Sequence, residues 1–362
     1  MITVGVDLGA RSYNIYIGSG ILGRLGSWVR ESSAGDKALL VSNRKVFALY
    51  GETVSNSLAE HGYQAIPAEM GDGEEYKNLA TLEKLFDLAF TRGLDRRCPV
   101  IALGGGVVGD AAGLAAATYL RGVPFVQVPT TLLAQVDSSV GGKVAVNRPG
   151  GKNIVGAFYQ PELVAADMLT LQTLPRREIK CGLAELIKYG VICDAGFFSW
   201  LEENIDKVLS LDEGALAYAV AVACRSKARV VEADETEQGQ RAILNFGHTA
   251  GHAVEVLSGY GVFCHGEAVA AGMAAAARLA AAMGLLPAAQ VRRIVSLLSR
   301  AGLPVSLPPS LDSGDMIAAM RQDKKARAGR LTFVLPLAIG SVKLFDDLPE
   351  ELVREALFQE NS

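Results

Sequence analysis

Residues 99–117 read "PVIALGGGVVGDAAGLAAA". A short apolar run of strand length is followed by three glycines and then by an alanine-rich run of helix length. That is strand, tight turn and helix, the repeating half of a βαβ unit. Gly104, Gly106 and Gly109 fall at G-x-G-x-x-G spacing, where residues without a Cβ let backbone N–H groups and a helix N-terminus approach a pyrophosphate. A strand-to-helix turn that holds no ligand is the plainer alternative. The acidic residue that a dinucleotide fingerprint places about twenty positions on is missing, because "RGVPFVQ" stands there. A nucleotide at this turn is gripped in another way.

The same grammar extends in both directions. "KALLVSN" and "PFVQVPTT" read as further strands, and "NLATLEKLFDLAFTRGL" as a helix between strands. The opening "MITVGVDLGARSYNIYIG" alternates like a strand and lacks the basic start and apolar core of a secretory signal. From "LPRREIKCGLAELIKYGVI" onward the pattern turns helical, which puts a boundary near Leu174 and Pro175. The expectation is an α/β N-terminal nucleotide-binding domain with a mostly parallel sheet over 1–174, and an all-helical C-terminal domain that binds metal and substrate over 175–362. "LTFVLPL" and "GSVKLF" read as a small hairpin within the second.

At 362 residues the chain is long enough for two cores. Its 35 Lys and Arg against 39 Asp and Glu provide no basic field for nucleic acid. Five cysteines, with no CxxC pair, fit reduced thiols in a cytoplasm. The most apolar stretch, "AVAAGMAAAARLAAAMGLL", is interrupted by Arg278 and reads as a buried helix rather than a membrane span.

Several motifs carry chemistry. "DSSVGGKVAVN" is not a Walker loop, since Asp137 replaces its first glycine and Val144 its magnesium-holding hydroxyl. What remains is a glycine turn presenting Lys143, followed by "GGKNIVGAFYQP", presenting Lys152 and Asn153. Lysines delivered in this way suit anions, although solvated loops present them equally well. "CGLAELIKYGVI" puts Glu185 and Lys188 three apart on an apolar helix, where charges are costly unless paired or ligated. "NFGHTAGHAVE" places His248 and His252 on one helical face, and His265 opens "HGEAVAAGM". A catalytic zinc takes three protein ligands, so four candidates compete for three places and spacing leaves the choice open.

These segments, together with "GDGEEYKN" and "DKKARAGRLTFVLP", closely resemble the 3-dehydroquinate synthase family of sugar-phosphate cyclases over nearly the whole chain. Cys181 and the "VA" after Lys143 depart from its pattern without removing a polar group. The resemblance implies an active site between the two domains and a phosphorylated sugar acid as substrate, 3-deoxy-arabino-heptulosonate 7-phosphate. It also implies transient oxidation at C5 with NAD+ as acceptor, phosphate elimination, return of the hydride and intramolecular aldol closure. NAD is then catalytic and not consumed. Sister cyclases such as 2-deoxy-scyllo-inosose or valiolone synthases, and a metal-dependent polyol dehydrogenase, are the rival readings.

By the same resemblance, Glu185, His248 and His265 hold one divalent metal, zinc or cobalt, and His252 handles protons. Lys188, Asp137 and Glu237 orient substrate hydroxyls. Lys143, Asn153, Asn245, Arg121 and either Lys324 or Lys325 hold the phosphate, and Arg241 with Lys227 the carboxylate. For NAD it points to Asn43; to Asp72, Gly73, Glu74, Glu75, Tyr76 and Lys77; and to Gly106, Val107, Val108, Gly109 and Asp110. Thr130, Thr131, Lys143, Lys152, and Thr170, Leu171, Gln172 and Thr173 complete that set. A homodimer is expected, in which Arg121 reaches the neighbouring subunit, with neither a nucleic acid nor a membrane as partner.

Overall fold

A computed structural model describes residues 1–259, 261–322 and 331–358. The chain forms two compact units, Met1–Leu174 with Leu216–Glu232, and Pro175–Ala215 with Ala233–Ser362.

The first unit is built on a seven-stranded sheet. Its strands are β1 (Ile2–Val6), β2 (Tyr13–Gly18), β3 (Lys37–Asn43), β4 (Gln64–Met70), β5 (Val100–Gly104), β6 (Phe125–Pro129) and, after a hairpin of β7 (Lys143–Arg148) and β8 (Gly151–Phe158), β9 (Leu163–Asp167). The order is β1-β2-β9-β6-β5-β3-β4, and every pairing is parallel except β1 with β2. The N-terminal alternation is thus two strands, folded back where "DLGARS" interrupts it.

Strands such as β5 are apolar throughout because both faces are covered. Leu39, Val41, Val100 and Ala102 pack with Leu82, Leu85 and Ala111 on one side. Leu40, Ile101 and Leu103 pack with Trp28, Val29, Val54 and Leu58 on the other. Gly109 lets the helix Gly106–Thr118 lie close on β6, since a Cβ there would stand 2.7 Å from Gln127 Oε1.

The second unit is mostly helical, with the expected hairpin present as β10 (Phe333–Ala338) against β11 (Ser341–Phe345). It is therefore not all-helical. The helix Glu213–Ala233 also departs from expectation, because its Leu216–Glu232 part belongs to the first unit. A 3.6-residue period shows that a helix buries a face and not which core it buries it in. No helix among the described residues is long and apolar enough to cross a membrane.

Candidate functional site

In the first unit, strand order gathers residues that are far apart in sequence. Chain direction along the sheet reverses between β3 and β5, and ligands of open α/β sheets bind beyond the carboxyl ends of strands at such a point. Asn43 ends β3, Asp72 follows β4, Gly106 follows β5, Thr130 and Thr131 follow β6, and Thr170 follows β9. The Asn43 side chain donates to Asp72 Oδ1 at 3.0 Å. Tyr50 donates its hydroxyl to the Thr170 carbonyl at 3.2 Å and lies 2.5 Å from Thr173 Oγ1. Val108 and Leu171 are 2% and 0% exposed, so their side chains belong to the core and only their backbones can meet a ligand. Glu75, Tyr76 and Gln172 are exposed, while Gly73, Glu74 and Val107 are half-buried.

Lys77 ties this region together. Its buried ammonium is 2.5 Å from Asp110 Oδ2 and donates to Asn153 Oδ1 at 2.6 Å. Burial pushes the Asp110 carboxyl up, and the Lys77 charge opposes that shift. Lys143, Lys152 and Asn153 lie in β7 and β8 rather than in glycine turns, because alternating Val144 and Val146 continue the first strand into a hairpin. Asn153 has φ 53°, and Arg121 has φ 67° between Leu120 at 49° and Gly122 at 116°. Left-handed backbone at non-glycine residues is costly and gathers at functional positions. Arg96 holds the Leu120 carbonyl at 2.8 Å, which fixes the turn carrying the exposed Arg121.

Lys227 and Asp137 meet each other. Lys227 Nζ donates to the Asp137 carboxylate and carbonyl, each at 2.6 Å. Lys227 belongs to the first unit and Arg241 to the second. Arg241 is 1% exposed and donates to the Glu235 carbonyl. Its loop is anchored by Asp234, whose carboxylate accepts the backbone N–H groups of Gln238, Gly239 and Arg241 at 2.9, 2.8 and 3.0 Å. Those bonds, the Arg241 one foremost, hold the Asp234 carboxyl below its ordinary range. Glu237, with φ 58°, accepts from Asn245 at 3.5 Å.

The second unit brings Glu185, His248 and His265 together from three helices, Arg176–Cys193, His248–Ser258 and His265–Ala282. Glycines allow the close crossing. A Cβ on Gly266 would run into the Cys181 carbonyl, and one on Gly272 into that of Gly247. Arg177 clamps the first helix to the third through a bidentate contact with Glu267 at 2.8 and 2.6 Å. That contact chiefly holds the Glu267 carboxyl below its ordinary range, and Glu267 also accepts the Cys264 N–H at 2.9 Å, capping the helix that His265 opens.

His248 Nε2 and His265 Nε2 each lie 3.9 Å from Glu185 Oε1. Ligands about 2.1 Å from a tetrahedral ion stand about 3.4 Å apart, so a small inward movement completes such a site. Glu185 is fully buried; Lys188, 1% exposed, pairs with it, and apart from that ammonium no hydrogen-bond donor among the described residues meets its carboxylate. A buried carboxylate beside two imidazole nitrogens is a donor set that suits zinc or cobalt. His248 Nδ1 is 3.1 Å from the Phe246 carbonyl, which favours a proton there and a lone pair on Nε2. The His252 ring stands 5.4 Å from that of His248, edge on at 87°.

Of the expected residues, Lys324 and Lys325 lie outside the described ones. Glu255 was not anticipated. It is 9% exposed, lies 3.3 Å from His265 Nδ1, and groups with His252 and His265 as a second possible ligand set. Its spacing, three residues after His252 and seven after His248, puts it on their helical face and was the available cue.

Comparison with known proteins accords with this geometry. Residues 67–181 match the model described as 3-dehydroquinate synthase N-terminal, and residues 182–326 the model described as 3-dehydroquinate synthase C-terminal. The chain is 58% identical to a 3-dehydroquinate synthase of Pelotomaculum thermopropionicum, over 99% of this chain and 96% of that one. It is 56% identical to one of Desulforamulus reducens, over 99% of each. A 2-deoxy-scyllo-inosose synthase solved with carbaglucose-6-phosphate, NAD+ and Co2+ superposes with a TM-score of 0.89 at 29% identity, over 98% of this chain and 99% of that one. A 2-epi-5-epi-valiolone synthase from Streptomyces hygroscopicus, solved with NAD+ and Zn2+, gives 0.88 at 29%, over 99% and 98%. With both halves matched by that family's models and full-length relatives above half identity, the chain belongs to the 3-dehydroquinate synthase family.

Proposed function

We infer that this chain is a 3-dehydroquinate synthase, an NAD- and metal-dependent lyase that converts 3-deoxy-arabino-heptulosonate 7-phosphate to 3-dehydroquinate and phosphate in the shikimate route to aromatic amino acids. One observation carries the reading: identity is 58% to a relative of that name and 29% to the sister cyclases over the same length. When bound, the divalent cation supplies Lewis acidity to vicinal hydroxyls, and NAD supplies a reversible hydride acceptor.

The chain's own residues bind, orient and move protons. Glu185, His248 and His265 hold the cation, and Lys188 offsets the Glu185 charge while donating to a substrate hydroxyl. His252, beside His248, takes and returns a hydroxyl proton, a role suited to imidazole near neutral pH. Asn43, the segment from Asp72 to Lys77 and the start of the helix Gly106–Thr118 hold the dinucleotide beyond the strand ends. Thr130, Thr131 and Thr170 to Thr173 join them, with Lys152 from β8. Arg121, Lys143, Asn153 and Asn245 grip phosphate, with a lysine of the pair Lys324 and Lys325. Arg241 and Lys227 grip the carboxylate, and Lys227 turns from Asp137 to do so, leaving Asp137 and Glu237 for hydroxyls.

The carboxylate grip separates this reading from its neighbours, whose substrates lack that group. Purified protein with NAD and cobalt should consume the heptulosonate phosphate and leave glucose 6-phosphate and sedoheptulose 7-phosphate untouched. Turnover of either carboxylate-free sugar phosphate in its place makes the chain a sister cyclase. We also propose a cytoplasmic homodimer in which Arg121 completes the partner's phosphate pocket. Mixed dimers of Arg121→Ala and Lys188→Ala subunits should then regain activity, and demonstrated hybrids without it would exclude the sharing.

A further inference from the structure

Two histidines present equivalent nitrogens to Glu185, and their remaining nitrogens meet different oxygens. His248 Nδ1 faces the neutral Phe246 carbonyl at 3.1 Å. His265 Nδ1 faces the Glu255 carboxylate at 3.3 Å. The first acceptor is backbone and no substitution removes it. The second is a side chain, 9% exposed, on the helical face that carries His248 and His252.

We propose that Glu255 is a positioning residue for His265, accepting its Nδ1 proton so that the Nε2 lone pair points at Glu185 and His248. A carboxylate acceptor also makes the opposite nitrogen a stronger donor to a cation than a neutral oxygen does. The inference rests on the reading of Glu185, His248 and His265 as the cation site.

The competing arrangement is a second ion held by His252, Glu255 and His265, whose ligand atoms lie within 4.8 Å of one another. It would take His265 through Nδ1 while Nε2 serves the first ion. His265 would then bridge two ions through both ring nitrogens and give up its Nδ1 hydrogen bond to Glu255. One ion and one charged acceptor satisfy the same atoms without that cost.

The test measures Co2+ binding by chelator competition, with stoichiometry and the visible spectrum of the bound ion, on the full-length protein. Glu255→Gln keeps an acceptor oxygen and nearly the same shape but loses the charge, and should weaken Co2+ about tenfold; Glu255→Ala loses both and should approach about a hundredfold. Both should retain one equivalent, and a loss already present in the near-isosteric Gln variant is what a general loss of packing would not produce. If Glu255→Ala fails to fold, the near-isosteric Gln variant decides alone. Wild-type affinity in the Gln variant would overturn the proposal, while loss of Co2+ in His248→Ala would show that the cation site itself stands. Two equivalents in the wild type and one in Glu255→Gln would make Glu255 a ligand of a second ion instead. Equal Co2+ binding by wild type and His248→Ala would remove the cation site and this inference with it.

Discussion

Lys188→Met tests how the candidate metal site is held together. Lys188 and Glu185 are 1% and 0% exposed and form an ion pair, so removing the ammonium strands a carboxylate that has no other hydrogen-bond donor among the described residues. Breaking a buried pair from one side costs about 3–5 kcal/mol, whereas replacing both partners by apolar residues of similar volume is often near neutral. At roughly 2–4 °C per kcal/mol for a unit of this size, Lys188→Met should lower the melting temperature by roughly 6–20 °C in chelator. Glu185→Met should do the same by stranding the ammonium, and the double variant should lose far less than the sum. Cobalt at about a hundred times its dissociation constant should return about 2.7 kcal/mol to Lys188→Met and nothing to Glu185→Met. Thermal unfolding followed by circular dichroism, with chelator and with cobalt, reads all of these. Two single losses that simply add in the double variant would show that Lys188 and Glu185 do not hold each other, because residues that do not interact are additive.

Three further outcomes are expected. His248→Ala should lose bound cobalt on purification, whereas His252→Ala should keep most of it and lose turnover, and equal metal loss from both would make His252 a ligand. Gly266→Ala should push the helix His265–Ala282 off the Cys181 carbonyl, costing about 1–3 kcal/mol and weakening cobalt binding, both read by melting and chelator competition. Asp234 has its folded pKa below the unfolded value, so its contribution is complete above the unfolded pKa and is lost as pH falls through the folded one. Asp234→Asn should therefore flatten the loss of stability on acidification below about pH 4, and an unchanged acid limb in urea unfolding would contradict the anchor.

The strand, turn and helix at 99–117 were legible because a strand buried on both faces must be continuously apolar and the turn beyond it needs small residues. Which other loops meet that turn was not. Asn43, Asp72, Thr130 and Thr170 come together only through the strand order β4-β3-β5-β6-β9, which no local pattern encodes. Family resemblance picked them out. Local patterns also misplaced Lys143 and Lys152, since glycines flank a hairpin as readily as they form a loop. The sequence pattern puts Lys227 in the helical domain because its helix follows others of that kind, yet that part of the helix belongs to the first unit. Glu255 carries little local signal because a lone acid on a helix usually faces water. Only the two histidines on the same face marked it.

In the proposed reaction oxidation is borrowed within a single turnover, acidifying a C–H so that phosphate can leave. Phosphate release and nicotinamide absorbance should be followed in one cuvette containing the protein, NAD+, cobalt and 3-deoxy-arabino-heptulosonate 7-phosphate. A synthase should release one phosphate per substrate consumed and build up no net NADH. Steady growth of NADH without phosphate would contradict it and make the chain a dehydrogenase.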